Sequence, residues 1–266
     1  LRLSTKEGEG MTDRPSSQAG IAGSQAGIAG SQAVPAGSQV KACIICALKA
    51  EARPFLQGMG QRKLVTGGRH KYYRGYLQGA LTALYVSGAG RDKAFRATQA
   101  AIAEVRPACV ILSGTAGGID QRLAVGDTVV ATELVFHDIS DAGLLDRYPG
   151  LSGTVFVSDA GLLKLLRDAL LLQPAKQAVL FGRMATGDVF VKKNNRASII
   201  ERFNPLSADM EAAAVAVACS LQNVPFVAVK SITDTAENAS TLTFLRNLRL
   251  ASVNSYQIVK AILADV

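Results

Sequence analysis

From Val40 to the C-terminus the chain alternates short, continuously apolar runs with longer stretches of helical periodicity, and few folds accept that pattern. Lys41–Ala47, Leu81–Val86, Ala108–Leu112, Asp127–Thr132 and Phe226–Ile232 read as strands. Several lack any polar alternation, which predicts strands covered on both faces. Lys93–Val105, Ala160–Leu172, Glu211–Leu221 and Leu242–Leu263 read as helices. Pro54, Pro107, Pro205 and Pro225 fall near element edges, where a missing N–H is tolerated. Strands interleaved with helices predict a layered α/β domain.

Residues 1–39 stand outside this pattern. The chain opens on Leu1, and Met11 is the first candidate start. The unit Ser-Gln-Ala-Gly-Ile-Ala-Gly occurs at Ser17–Gly23 and again at Ser24–Gly30, with a variant at Ser31–Gly37. Such a segment buries too little apolar surface to offset its backbone entropy, so 1–39 is expected to be a low-complexity disordered tail and 40–266 one domain.

Composition narrows the class further. Of 266 residues, 48% are hydrophobic, which permits a sizeable core, and with no Trp that core must be built mainly from Ala, Val, Leu and Ile. The formal charge of +8 permits attraction to anions, but the basic residues are dispersed. The nearest approach to a cluster is Arg62, Lys63, Arg69, His70, Lys71 and Arg74, interleaved with Tyr72 and Tyr73. It is read as a solvated hairpin in preference to an RNA-facing strip. Cys43 and Cys46 form a C-x-x-C, but inside an apolar run, with no second pair and only His70 and His137 as further ligands. They are expected to be buried, reduced thiols, in keeping with a cytoplasmic protein, and no metal site is expected. No run reaches the ~18 apolar residues of a membrane span, and the N-terminus lacks the apolar stretch of a secretory signal.

In open α/β sheets ligands gather beyond the carboxyl ends of strands. Three such ends stand out: Leu48-Lys49-Ala50-Glu51, Ser113-Gly114-Thr115-Ala116-Gly117-Gly118 and Thr233-Asp234-Thr235-Ala236. A fourth segment, Ser207-Ala208-Asp209-Met210-Glu211, opens an Ala-rich helix. Each has an ordinary alternative. Glu51 suits the first turn of a helix, Asp234 suits an N-cap, Asp209 and Glu211 suit a helix start, and the glycines suit a turn leaving the sheet. The glycine segment is neither G-x-G-x-x-G nor a P-loop, so it implies no dinucleotide or triphosphate.

Together these segments resemble the nucleoside phosphorylase and nucleosidase superfamily, most of all its 5′-methylthioadenosine/S-adenosylhomocysteine nucleosidase branch. The likeness runs in one chain order from about Val40 to the C-terminus. It is carried by Ile44–Glu51, Ser113–Asp120, Val125–Val130, His137-Asp138, Thr186–Val191, Asp209–Ala214 and Ile232–Ala236, the Asp-Met-Glu with its following alanines being the most specific. The resemblance implies a three-layer α/β/α sandwich with a central mixed sheet, a homodimer, and a reaction that needs neither metal nor organic cofactor. It implies that Glu51 activates a water, that Glu211 holds the ribose hydroxyls, and that Asp234 protonates N7 of the leaving purine. By the same resemblance Phe190 stacks on the base, the backbone of Val191 meets the base edge, Thr115 stands near the water and Phe244 packs on the 5′ alkylthio group. Ala116, Gly117, Met210 and Thr233 complete the expected substrate-binding set.

The chemistry of that set is coherent. Breaking an N-glycosidic bond builds positive charge on the sugar and negative charge on the base. The base leaves readily only when protonated, so Asp234 should keep a proton near neutral pH through burial or a neighbouring charge. Glu51 must accept a proton from water, and one acid on each side of the scissile bond parallels inverting glycoside hydrolysis. Phosphorylases of the superfamily carry an Arg where this chain has Leu112, and a phosphate dianion needs a guanidinium. Water is therefore expected as the nucleophile, with Arg53 and Arg91 as the phosphate-binding alternatives. Lys230 stands where relatives commonly have Arg and Thr233 where they have Ser, and 139–152 matches poorly in the part that serves the 5′ pocket across a dimer interface. The expected function is hydrolysis of a purine nucleoside, 5′-methylthioadenosine or S-adenosylhomocysteine, releasing adenine. The rivals are a nucleoside phosphorylase and a catalytically idle nucleoside-binding module. No membrane or nucleic-acid partner is expected.

Overall fold

The computed structural model describes residues 39–189, 191, 193–235 and 240–266. The tail expected over 1–39 therefore lies, apart from Gln39, outside the described residues. The first half runs β1 (Ala42–Cys46), α1 (Lys49–Gly58), β2 (Gly60–Val65), β3 (Tyr72–Leu77), β4 (Ala80–Val86), α2 (Arg91–Val105) and β5 (Cys109–Gly118). It continues through β6 (Thr128–Phe136), α3 (Asp141–Arg147), β7 (Val155–Val157), α4 (Ala160–Leu172), β8 (Val179–Thr186) and α5 (Lys193–Phe203). The last elements are β9 (Ser207–Asp209), α6 (Ala212–Ser220), β10 (Phe226–Thr235) and α7 (Thr241–Lys260).

The continuously apolar strands are buried on both faces, and their alternation sorts the core into two layers. Cys43 and Ile45 of β1, Val110 and Leu112 of β5 and Ala228 of β10 face one layer, with α2 and the all-buried Ala212–Cys219 run of α6. Ala42, Ile44 and Cys46, Cys109 and Ile111, and Val227 and Val229 face the other, with Ala52 and Phe55 of α1, Leu162 and Leu166 of α4, Tyr256, Ile258 and Val259 of α7, and Ile262 and Leu263 just past it. Helices on both faces of one sheet make the expected three-layer sandwich. Small alanines let α6 approach the sheet closely, which explains why that helix shows no polar face.

The sheet is mixed. β4, β1, β5 and β10 run parallel, as do β6, β8 and β9, whereas β10–β6 and β5–β9 pair antiparallel. Since β10 pairs with both β5 and β6, the strands β5, β9, β8, β6 and β10 close into a ring. The opposite flank ends on β2, an exposed edge strand carrying Arg62 and Lys63 and paired antiparallel to β3. The basic strip thus lies on the hairpin β2–β3, and charge on an edge strand discourages pairing with other chains.

Two of the ordinary alternatives are not met. Ser113–Gly118 is no turn: β5 runs ten residues, through its glycines to Gly118. Asp234 is no N-cap either, because β10 continues to Thr235 and the helix that follows is capped by Ser240. Both strands extend because their pairing with each other continues to their ends, Gly117 opposite Asp234 and Gly118 opposite Thr235. Tertiary pairing overrides the weak strand preference of glycine and aspartate.

Ile44 is fully buried at the centre of β1. Ile44→Ala is expected to cost about 2–5 kcal/mol, read as a lower denaturant midpoint at unchanged slope.

Candidate active site

A cavity of about 620 Å³ opens at the carboxyl ends of β1, β5 and β10 and is closed by β9, the start of α6, α5 and the start of α7. Glu51, Thr115, Ala116, Gly117, Val191, Met210, Glu211, Thr233, Asp234 and Phe244 all line it. Of the expected site residues only Phe190 is missing from that set, and it lies outside the described residues.

Glu51 is the third residue of α1 and is buried. Its Oε2 accepts the Leu48 N–H at 2.9 Å, and its Oε1 accepts both the N–H and the Oγ1–H of Thr115 at 2.8 Å. The helix-start reading and the site reading are thus both met: one oxygen satisfies an orphan N–H of α1, and the other is pulled over β5. The approach demands a glycine, since a Cβ on Gly114 would stand 2.6 Å from Glu51 Oε1. Every hydrogen bond Glu51 makes is one it accepts, as suits a side chain that is to take a proton.

Asp234 reaches the cavity through a bulge. The β10–β5 register slips between Ile232 and Asp234, leaving Thr233 as an extra residue, and both Thr233 and Asp234 line the cavity. Bulges of this kind re-aim side chains beside active sites. Asn247 of α7 donates to the Thr233 carbonyl at 2.8 Å and holds the bulge. Burial pushes the Asp234 carboxyl above its ordinary range, opposed only by the Thr233 hydroxyl, 2.7 Å from Oδ1. That hydroxyl also sits 3.3 Å from the Ala116 carbonyl. With a single hydrogen to give, Thr233 cannot satisfy both acceptors fully unless Asp234 itself carries a proton and donates.

Glu211 occupies the N-cap position of α6 but does not cap it. Its Oε1 accepts the Gly90 N–H at 2.9 Å, and its Oε2 meets Lys230 Nζ at 3.1 Å. Asp209 does the capping instead, accepting the Ala212 N–H on both oxygens while taking the Thr186 hydroxyl at 2.7 Å and Lys230 Nζ at 3.0 Å. Lys230 is fully buried between the two acids. Burial opposes its charge, yet Asp209, Glu211 and Glu51 outweigh that and hold the ammonium protonated well above the ordinary lysine range. Burial also raises Glu211, with Lys230 pulling the other way. A raised carboxyl is therefore not peculiar to Asp234. What separates the two is that Glu211 faces an ammonium and Asp234 only a hydroxyl.

The cations proposed for phosphate are elsewhere. Leu112 is buried in the core and Arg53 is exposed on α1. Arg91 bonds Asp138 at 3.0 Å and also Asp188, and lies over the Phe136 ring. The helix-start reading holds for Asp209 and not for Glu211. Sequence reasoning passed over the ion pairs that Lys230 makes with both acids and Arg196 of α5, which lines the cavity. For Lys230 a signal existed, because a lysine inside a continuously apolar strand must find buried partners. Among the described residues no group of His, Cys, Asp and Glu is arranged to hold a metal.

The sandwich with its ringed strands and its acid-lined cavity defines a class: the family model described as the phosphorylase superfamily matches residues 41–264. A 5′-methylthioadenosine/S-adenosylhomocysteine nucleosidase of Exiguobacterium sp. (strain ATCC BAA-1283 / AT1b) is 32% identical over 227 residues, 84% of this chain and 97% of that protein. The chain belongs to this nucleosidase family of the superfamily. The Neisseria meningitidis nucleosidase solved with methylthio-immucillin-A is 30% identical with a TM-score of 0.77, covering 85% of this chain and all (100%) of that one. The Colwellia psychrerythraea 34H enzyme solved with adenine is 29% identical with a TM-score of 0.75, over 85% and 95%.

Removing the ammonium would leave two acids facing each other without compensation. Lys230→Met is expected to destabilise the fold by about 3–5 kcal/mol at neutral pH, with part of the loss recovered in acid as the acids protonate; urea unfolding at two pH values reads both effects.

Proposed function

We propose that this protein hydrolyses the N-glycosidic bond of 5′-methylthioadenosine or S-adenosylhomocysteine and releases adenine, with Glu51 acting on the water and Asp234 on the base. The observation that carries the reading is that Glu51 and Asp234 line one cavity in opposite environments. Glu51 is surrounded by donors, and Asp234 is held above its ordinary pKa with no cation beside it among the described residues. In the reaction the C1′–N9 bond breaks and its electron pair leaves with the base. Asp234 supplies the proton to N7, a water oxygen bonds C1′, and Glu51 takes the water's proton. Each Glu211 oxygen has one protein partner, which leaves lone pairs for the two vicinal ribose hydroxyls. Apolar lining from Leu48, Ala89 and Phe244 suits an alkylthio 5′ substituent.

Water is favoured over phosphate by the charge of the lining. Glu51, Asp209, Glu211 and Asp234 all face the cavity, and among the described residues Arg196 is its one cation. A phosphate dianion beside Glu51 would meet like charge without a guanidinium to hold it. The reading extends to a homodimer, supported by the exposed apolar Val155 and Val157 on β7. It extends to a reducing compartment such as the cytoplasm, supported by four buried free thiols. Among the described residues no helix is long and apolar enough to cross a membrane. We keep 1–39 outside the catalytic unit, a division supported by the family match beginning at residue 41.

Purified protein should release adenine from 5′-methylthioadenosine in phosphate-free buffer at the rate seen with phosphate. Release that requires phosphate would exclude the hydrolase. Asp234→Asn is expected to bind the nucleoside and lose about 10²–10⁴ in kcat, whereas unchanged turnover would remove Asp234 from the acid role.

The pH dependence follows from the raised carboxyl. The proton on Asp234 is held more tightly in the fold than in the unfolded chain, so its stabilising effect is complete below the ordinary value of 3.8 and is lost as pH rises through the raised one. Activity should fall over the same rise. The stability of Asp234→Asn relative to the parent should improve with pH across that window, measured by thermal unfolding at a series of pH values.

A further inference from the structure

Arg196 is the cavity-lining cation that the proposed reaction leaves unused. It sits in α5, and its guanidinium donates to the carbonyl of Ile119, the residue just past the end of β5. That bond occupies one of five N–H donors. No described carboxylate pairs with it, although four acidic side chains line the same cavity.

Its position relative to the other groups can be read along β5. Thr115 bonds Glu51, Gly117 lies opposite Asp234, and Ile119 accepts from Arg196. These are successive two-residue steps, each roughly 6.5 Å in an extended chain. A nucleoside with its C1′ reached from Glu51 and its N7 at Asp234 therefore extends its six-membered ring away from Glu51, toward Ile119 and Arg196. A guanidinium only donates, and on that ring adenine presents two acceptors, N1 and N3. We infer that Arg196 is a base-reading residue, donating to an acceptor nitrogen on the six-membered ring of the purine and favouring the negative charge that the base gathers as it leaves.

The inference rests on the nucleosidase reading for the orientation of the base, but it is tested by binding, which needs no turnover. Calorimetric titration of the intact protein and of Arg196→Met with adenine, 1-deazaadenine and 3-deazaadenine compares the acceptors one at a time. The parent is expected to bind adenine about tenfold to a hundredfold more tightly than one of the two deaza bases, the range for hydrogen bonds to a charged donor. Arg196→Met should lose that preference and bind all three at the weaker level, while Arg196→Lys, which keeps the charge and loses the planar fork, should recover part of it. A uniform weakening across the three bases would mean that Arg196 only anchors α5 to β5, and unchanged affinities would mean that it does not touch the base; either result overturns the inference. Phosphate-free turnover of 5′-methylthioadenosine by the parent, run in parallel, shows separately whether the nucleosidase reading holds.

Discussion

Four carboxyl side chains line one small cavity, and the arrangement depends on a single ammonium beneath it. Lys230 touches Asp209 at 3.0 Å and Glu211 at 3.1 Å from a position with no solvent exposure. Without a counter-charge, like charges in such surroundings would either protonate or separate. With it, Asp209 can spend its oxygens on capping α6 and on Thr186, and Glu211 is aimed outward at the cavity by two fixed contacts, Gly90 N–H and Lys230. A buried ion pair is poor evidence of net stability. Here its effect is better described as orientation: it fixes one acid as structure and leaves its neighbour available to a ligand.

The second requirement is that acids distant in the chain reach the same place, and β5 is the common rail. Glu51 arrives from β1 by one turn of α1 and is received by Thr115. Asp234 arrives on β10, brought to Gly117 by the parallel register and turned into the cavity by the bulge at Thr233. Glu211 arrives from β9, whose antiparallel pairing with Gly117 and Gly118 ties the opening of α6 to the same strand. Glycine at 114 admits the Glu51 carboxyl, whereas a Cβ at 117 would make only ordinary contact with Asp234. Three segments thus converge on the glycine-rich half of β5, and the arrival of Glu51 is what requires a bare backbone at Gly114.

Much of this was legible in the sequence, and the part that was not has a physical reason. The apolar runs of β1, β4, β5, β6 and β10 announced themselves because burial on both faces leaves no polar positions to confuse the period. The short or polar elements β8, β9 and α5 did not, since their form depends on partners far along the chain. The same reason accounts for the glycine segment and for Asp234. Local chemistry argued for a turn and a cap, whereas pairing between β5 and β10 made both into strand. The candidate acids were reached through a resemblance carried by seven ordered segments; each acid alone had an adequate ordinary explanation, and Glu51 in fact fulfils its ordinary role too. Arg196 escaped notice because nothing in its local sequence marks it, and only the tertiary placement of α5 brings it to the cavity.

The three acids at the centre of the site show how one residue type is divided among different tasks by its surroundings. Glu51 is met by three donors, Glu211 by an ammonium and an N–H, and Asp234 by a lone hydroxyl shared with a carbonyl. Donors and cations favour a carboxylate, whereas burial without them favours the neutral acid. On the proposed reading that division runs in the direction bond cleavage requires, with Glu51 and Glu211 toward the sugar, where positive charge develops, and the proton of Asp234 and the Arg196 guanidinium toward the base, where negative charge collects. A phosphorylase needs a cation at the sugar end to hold its nucleophile. The cavity offers its one described cation at the other end, so the polarity of the lining itself argues for water.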